Sequence, residues 1–136
     1  MLLVPHAHRL RRKIAMALHI WFSYLVVRAG LRRWPLPELV CRIIASKPTK
    51  RSGLSARRLG VLVVRALHIG RYRARCLAGS LVLFRLLRQE GVTAQLVIGL
   101  PERPTDQQAH AWVEVDEADV GPPPGRNGHV ELARYG

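Results

Sequence analysis

The chain has 136 residues, 49% of them hydrophobic and 23% charged, which fits one folded domain and excludes an intrinsically disordered protein. Its two cysteines, Cys41 and Cys76, are too few for a disulfide framework and match no zinc-site spacing, so we expect a reducing, cytoplasmic setting. Residues 1–75 hold 17 Lys and Arg against one acid, whereas residues 76–136 hold five against eight. This charge favours an acidic partner, although a simple bias toward arginine would also produce it.

The first predicted helix covers residues 8–30 and ends at Ala29-Gly30. Its basic start followed by an apolar run at 14–27 resembles the two parts of a signal peptide. The run is shorter than the roughly 20 residues of a membrane span, and arginines follow it where a cleavage site needs small residues. We therefore favour a helix that faces the core or a partner, with an interfacial membrane helix and a signal peptide as alternatives.

Two further helices are predicted in the basic half of the chain. Residues 34–37 form a turn because two prolines lie there, and a second helix covers 38–45. A loop at 47–53 follows by composition. Ser55 is placed to cap a third helix at 56–69, which stops before a glycine.

The second half combines one buried helix with short strands. The helix begins at Cys76, is apolar on most sides and ends at 88–91. Alternating apolar residues and a tight turn at Asp116-Glu117 predict the strands. They cover residues 94–100, 108–115, 118–121 and 129–132. We predict an α+β fold in one compact domain. A helical region at 1–70 packs with a core at 71–136, in which the Cys-bearing helix lies against a small antiparallel sheet.

Cys76 and His110 are the candidate catalytic pair. Cys76 lies in the first turn of the buried helix, where unpaired N–H groups and the helix dipole stabilise a thiolate and can bind an oxyanion. Strand alternation puts His110, Trp112 and Glu114 on the face opposite the core. The imidazole can then take the thiol proton and return it to a leaving amine. Taken singly, such residues usually serve packing, so it is their combination that indicates a nucleophile and its base.

Two motifs carry a family resemblance over residues 71–121. They are 76–81 (CLAGSL) and 109–116 (AHAWVEVD), and they resemble the leader peptidase part of the lasso-peptide biosynthesis B protein, a transglutaminase-like cysteine protease family. The resemblance implies a papain-related core, a Cys-His-Asp triad and removal of the leader from a ribosomally made precursor. The partners it implies are the precursor peptide, a small precursor-recognition protein and an ATP-dependent macrolactam synthetase. It implies neither a metal nor an organic cofactor.

The sequence does not determine which residue is the third member of the triad. A tight hairpin leaves a proline opposite His110, where the family usually has an aspartate. We favour Asp119, which needs a register shift or a bulge to reach the ring. Asn127, as an amide orienter, and a chain without a third member are the alternatives. The predicted strand pairs are Val115 with Ala118, Glu114 with Asp119 and Trp112 with Gly121.

A different class of function stays open, namely a basic, helix-rich module that binds nucleic acid or anionic membrane. The charge of residues 1–75 supports it. The sequence contains no zinc-finger, helix-turn-helix or aromatic-interleaved motif. We therefore expect no nucleic acid partner and at most weak contact with a membrane surface. The prediction is therefore a cysteine peptidase, with the binding module as its alternative.

Overall fold

The computed structural model describes residues 4–46, 48, 54–68, 76–102, 109–121 and 128–136. The described helices are α1 (Val4–Arg33), α2 (Leu36–Ala45), α3 (Ala56–Leu67) and α4 (Cys76–Gln89). The described strands are β1 (Ala94–Pro101), β2 (His110–Val115), β3 (Ala118–Gly121) and β4 (His129–Tyr135). They form an antiparallel sheet in the order β3-β2-β1-β4. The predicted α+β class is confirmed.

Helix α4 lies at the centre of the core. It contacts α1, α2 and α3 on its outer sides and both β1 and β2 beneath it. Because neighbours surround it, its apolar residues are buried on nearly every side, as the sequence predicted. The fully buried ones include Leu81, Val82, Leu83, Phe84 and Leu87. The helix ends as expected, since the N–H groups of Gly91 and Val92 donate to carbonyls of its last turn.

Helix α1 does not end at Gly30, so that prediction is wrong. The helix continues to Arg33, and the Trp34 N–H still donates to the Gly30 carbonyl at 2.9 Å. A Cβ atom at Gly30 would lie 2.6 Å from Cδ1 of Leu39. The glycine therefore serves the close approach of α2 to α1 rather than the end of a helix.

Helices α2 and α3 lie close to their predicted positions. Helix α2 begins at Leu36, two residues early, because a proline is tolerated in the first turn of a helix. Ser55 caps α3 as predicted, and its Oγ accepts a hydrogen bond from the Arg58 N–H at 3.2 Å. Most of the predicted loop at 47–53, like residues 69–75, lies outside the described residues.

The hairpin between β2 and β3 turns at Asp116-Glu117, as predicted, with φ angles of 50° and 65°. The pairs Val115 with Ala118 and Glu114 with Asp119 are confirmed. The predicted pair of Trp112 with Gly121 is wrong. Gly121 lies opposite Val113 because a register shift leaves one extra residue on β3.

Helix α1 buries one side and exposes an apolar side. Its outer stripe, as we name it, consists of Leu10, Ile14, Leu18, Phe22 and Leu25, each 51–65% exposed. The segment Ala7–Arg33 is long and apolar enough to cross a membrane, with only 28% of its most apolar stretch buried in the protein. Core helices and signal sequences share this composition, but a core helix would be mostly buried.

Candidate active site

The start of α4 is joined to the start of β2 by one buried hydrogen bond. The Ser80 hydroxyl donates to the carbonyl oxygen of Ala111 at 2.8 Å. Ser80 follows Cys76 by one helical turn, about 6 Å along the axis, and Ala111 directly follows His110. The two predicted catalytic residues therefore belong to neighbouring element ends. The side chain of Cys76 lies outside the described part of the structure, so its distance to the imidazole stays a prediction.

Three aromatic rings meet over the sheet, and we call them the aromatic cluster: His110, Trp112 and His129. The centroids of the two imidazoles are 5.0 Å apart. The indole centroid lies 6.1 Å from His110 and 6.0 Å from His129. His110 and His129 belong to β2 and β4, which are separated in the sheet by β1.

Gly99 of β1 makes this convergence possible. It lies opposite His110 in the β1–β2 register and opposite Glu131 in the β1–β4 register. A Cβ atom at Gly99 would lie 2.9 Å from the Trp112 ring and 2.8 Å from the Val130 carbonyl oxygen. Because no side chain projects from Gly99, the indole and the rings from both flanking strands can lean over the middle strand.

A polar network fixes the indole of Trp112. Its Nε1–H donates to Oε2 of Glu114 at 2.8 Å, and both side chains are only 2% exposed. Arg134 donates to the other Glu114 oxygen at 3.2 Å and to Glu131 at 2.6 Å. The buried carboxylate is therefore satisfied on both oxygens, and the tryptophan cannot rotate without losing a charge-assisted bond.

The pKa of Arg134 reflects its place in this network. Partial burial would lower it, but the hydrogen bonds and negative charges of Glu131 and Glu114 outweigh burial and raise it. The guanidinium therefore stays charged, so it is a constant partner of the buried carboxylate.

The structure does not place Asp119 beside His110. Asp119 lies opposite Glu114, which is four residues from His110 and about 13 Å along the strand. Its Oδ1 accepts a hydrogen bond from the Gly121 N–H at 2.9 Å. The register shift on β3 comes after Asp119 and brings it no closer. Asn127 and the two prolines predicted to face His110 lie outside the described residues.

His129 is the site residue that sequence reasoning missed. The sequence predicted a strand at 129–132 but gave no reason to place it next to β1. In the structure His129 pairs with Pro101, and its Nδ1 atom is buried without a hydrogen-bond partner among the described residues. An unsatisfied buried nitrogen beside the predicted catalytic imidazole is the kind of exception that calls for a functional explanation.

Cys41 is exposed on α2, with its thiol free. Across the described ranges, no group of three or more His, Cys, Asp or Glu side chains could hold a metal ion.

The sequence of this α+β chain matches a known family. The model of the transglutaminase-like superfamily matches residues 18–132, which include most of α1 and the sheet as far as β4. The chain therefore belongs to the transglutaminase-like superfamily, which includes cysteine peptidases. No curated protein and no solved structure matches the chain.

Proposed function

We propose that this protein is a cysteine peptidase that removes the leader from a ribosomally made lasso-peptide precursor. The hydrogen bond from Ser80 to Ala111 carries the proposal, because it joins the helix that begins with Cys76 to the strand that begins with His110. Membership of a superfamily that includes cysteine peptidases supports the reaction type. The resemblance of residues 76–81 and 109–116 to leader peptidases supports the substrate.

The reaction needs only groups of this chain and water. His110 takes the proton of Cys76, and the thiolate attacks the scissile carbonyl carbon. The C–N bond then breaks as the imidazolium gives its proton to the leaving amine, which leaves a thioester. Water attacks this thioester with His110 as the base. The C–S bond breaks, the leader leaves as a carboxylic acid, and the thiol regains its proton.

The fold supports these steps in two ways. The first N–H groups of α4 have no partner within the helix, so they can donate to the oxyanion, each typically worth about 3–4 kcal/mol of barrier in acyl transfer. Trp112 is buried beside His110 and excludes water from one side of the imidazole. A thiolate–imidazolium pair interacts more strongly where water is excluded.

A groove between α1, α3 and α4 fits the delivery of an acidic peptide. Its volume is about 1080 Å³, and its apolar floor includes Met16, Leu59 and Leu62. Cations line its sides. They are Arg9, Arg12, Lys13, Arg58 and Arg65. We assign this groove to an acidic, apolar segment of the leader, presented by the small precursor-recognition protein, because the charges are complementary. The macrolactam synthetase is then the partner that takes the cleaved product.

Cleavage of a precursor in the presence of its recognition protein tests the peptidase. We expect two products whose masses sum to the precursor plus one water. Cys76→Ala and His110→Ala should each remove activity by at least about a thousandfold. The matched controls are Cys41→Ala and His68→Ala, which change exposed residues of the same types and should cleave normally. Full cleavage by Cys76→Ala would refute the proposal.

A second candidate function is attachment to an anionic membrane surface through α1. The outer stripe is apolar and exposed, and Arg11, Arg28 and Arg32 lie near its two ends. A basic helix with an exposed apolar face binds at the headgroup level of anionic bilayers. Sedimentation with phosphatidylcholine vesicles, with and without phosphatidylserine, tests this function. Leu18→Ser should weaken salt-sensitive binding, whereas the control Val61→Ser on α3 and Cys76→Ala should not.

A further inference from the structure

The aromatic cluster contains one polar atom that no described interaction explains. Nδ1 of His129 is buried and has no hydrogen-bond partner within the described residues. Leaving such an atom unpaired costs about 1–3 kcal/mol, so a fold tolerates it only where something else is gained. The imidazole of His110 lies next to it, with a centroid distance of 5.0 Å.

The spacing of the two rings fits a hydrogen bond between them. Two imidazoles joined by an N–H···N bond of about 2.9 Å have centroids roughly 5 Å apart, the separation seen here. The bond requires only that the rings turn about χ2, a soft torsion in histidine. Catalytic hydrogen bonds are often unformed in free enzymes and form when the reacting charge develops.

Among the described residues, the strands bring His129 rather than an acid next to the ring of His110. Asp119, the acid predicted from the sequence, lies opposite Glu114 and about 13 Å along the strand from His110. Both oxygens of Glu114 already bind Trp112 and Arg134. Glu131, on the same strand as His129, binds Arg134 as well.

We propose that His129 is the positioning residue of His110. Its neutral Nδ1 accepts a hydrogen bond from the second N–H of His110 when that ring carries the proton of Cys76. This holds the imidazolium in place, as the acid of a triad does, but the acceptor is itself a base. The inference rests on the proposed peptidase function and adds to it the identity of the third residue.

A histidine acceptor differs from a carboxylate acceptor in how its hydrogen bonding depends on pH. When His129 binds a proton, Nδ1 becomes a donor and can no longer accept, and two adjacent imidazolium charges repel each other. Protonation of His129 at low pH should therefore remove the activation of the thiol. Among the described residues, the other charged groups on the strands of this sheet are Glu114, Asp119, Glu131 and Arg134, and Glu102 directly follows β1.

Alkylation by iodoacetamide, followed by mass analysis of both cysteines between pH 5 and 8, tests the inference without a precursor. Cys41 is exposed and serves as the internal control. In the unaltered protein Cys76 should react much faster than Cys41 near pH 6–7. His129→Phe keeps a ring but loses the nitrogen, and it should slow Cys76 about tenfold or more. His129→Asn offers an amide oxygen that does not titrate. It should restore most of the rate and keep it to lower pH.

The outcomes separate the inference from the proposed function. Equal alkylation rates at Cys76 and Cys41 in the unaltered protein would refute the proposed peptidase function itself. A fast Cys76 that depends on His110 but is unaffected by His129→Phe would overturn the role of His129 alone. If His129→Phe and His129→Asn slow the alkylation of Cys76 equally and leave its pH profile unchanged, His129 serves only packing. That result would also overturn its role as a positioning residue.

A measurement on the unaltered protein covers the case in which these variants do not fold. Blocking Cys76 with methyl methanethiosulfonate removes the thiolate, so His110 loses the charge that it carries. The ¹⁵N chemical shift of His129 Nδ1 should then move, because its hydrogen bond to the imidazolium is lost. An unmoved shift would contradict the proposal.

Discussion

The aromatic cluster of the sheet and the outer stripe of α1 depart from the usual distribution of side chains in opposite ways. On the sheet, polar groups are buried, and Glu114 is only 2% exposed. On α1, five large apolar side chains are more than half exposed. Burial of apolar area drives folding, so either departure costs stability unless something compensates it. On the sheet the compensation is internal, through hydrogen bonds, whereas no described part of the chain covers the apolar side of α1.

This difference separates two kinds of surface. The sheet network from Gln95 through Arg134 and Glu114 to Trp112 holds the rings in fixed positions before any ligand arrives. Such order suits chemistry, in which small displacements of a reacting group are costly. The outer stripe is an exposed apolar surface that a partner or a lipid can cover. We propose that the chain uses its sheet for reaction and its first helix for association.

Among the variants that compare these two surfaces, the one that removes the indole should have the largest effect on stability. Trp112→Ala should lower the free energy of unfolding by about 3–5 kcal/mol, because it empties a buried site and leaves one oxygen of the Glu114 carboxylate without its donor. Phe22→Ala, on the outer stripe, is the matched control and should change stability by less than about 0.5 kcal/mol. Urea unfolding of both variants checks the pair, and similar losses would abolish the distinction between the two surfaces.

A methyl group at Gly99 should have a smaller effect that is specific to the cluster. Gly99→Ala places a Cβ atom 2.9 Å from the indole and 2.8 Å from a backbone oxygen, so the strand or the ring must shift, at about 1–3 kcal/mol. The tryptophan fluorescence and the alkylation rate of Cys76 should change together. Gly79→Ala is the control, since nothing lies within 4 Å of its added Cβ atom. Unchanged alkylation in Gly99→Ala would show that the indole does not position His110.

The smallest effect on stability is expected at the outer stripe itself. Leu18 is 65% exposed, so Leu18→Ser removes little buried area and should alter the free energy of unfolding by no more than about 0.5 kcal/mol. Chemical unfolding measures this directly. A loss above about 1 kcal/mol would mean that the stripe packs within the folded chain, and its role in association would have to be abandoned.

Local signals in the sequence predicted most elements of the fold. The cap at Ser55, the turn at Asp116-Glu117 and the apolar surround of α4 are encoded by neighbouring residues, and each is found in the structure. The failures involve contacts between distant segments. Gly30 was predicted to end a helix because glycine often does, but its place is fixed by contact with Leu39 on the next helix.

The candidate site divides in the same way. The sequence by itself determined that Cys76 begins a buried helix and that His110, Trp112 and Glu114 share one face of a strand, because periodicity sets which side chains point together. Only the tertiary structure decided which strand lies beside β1, how β3 is shifted and therefore which residue meets His110. Strand pairing depends on packing across the whole sheet, and no local pattern records that His129 and His110 converge over Gly99.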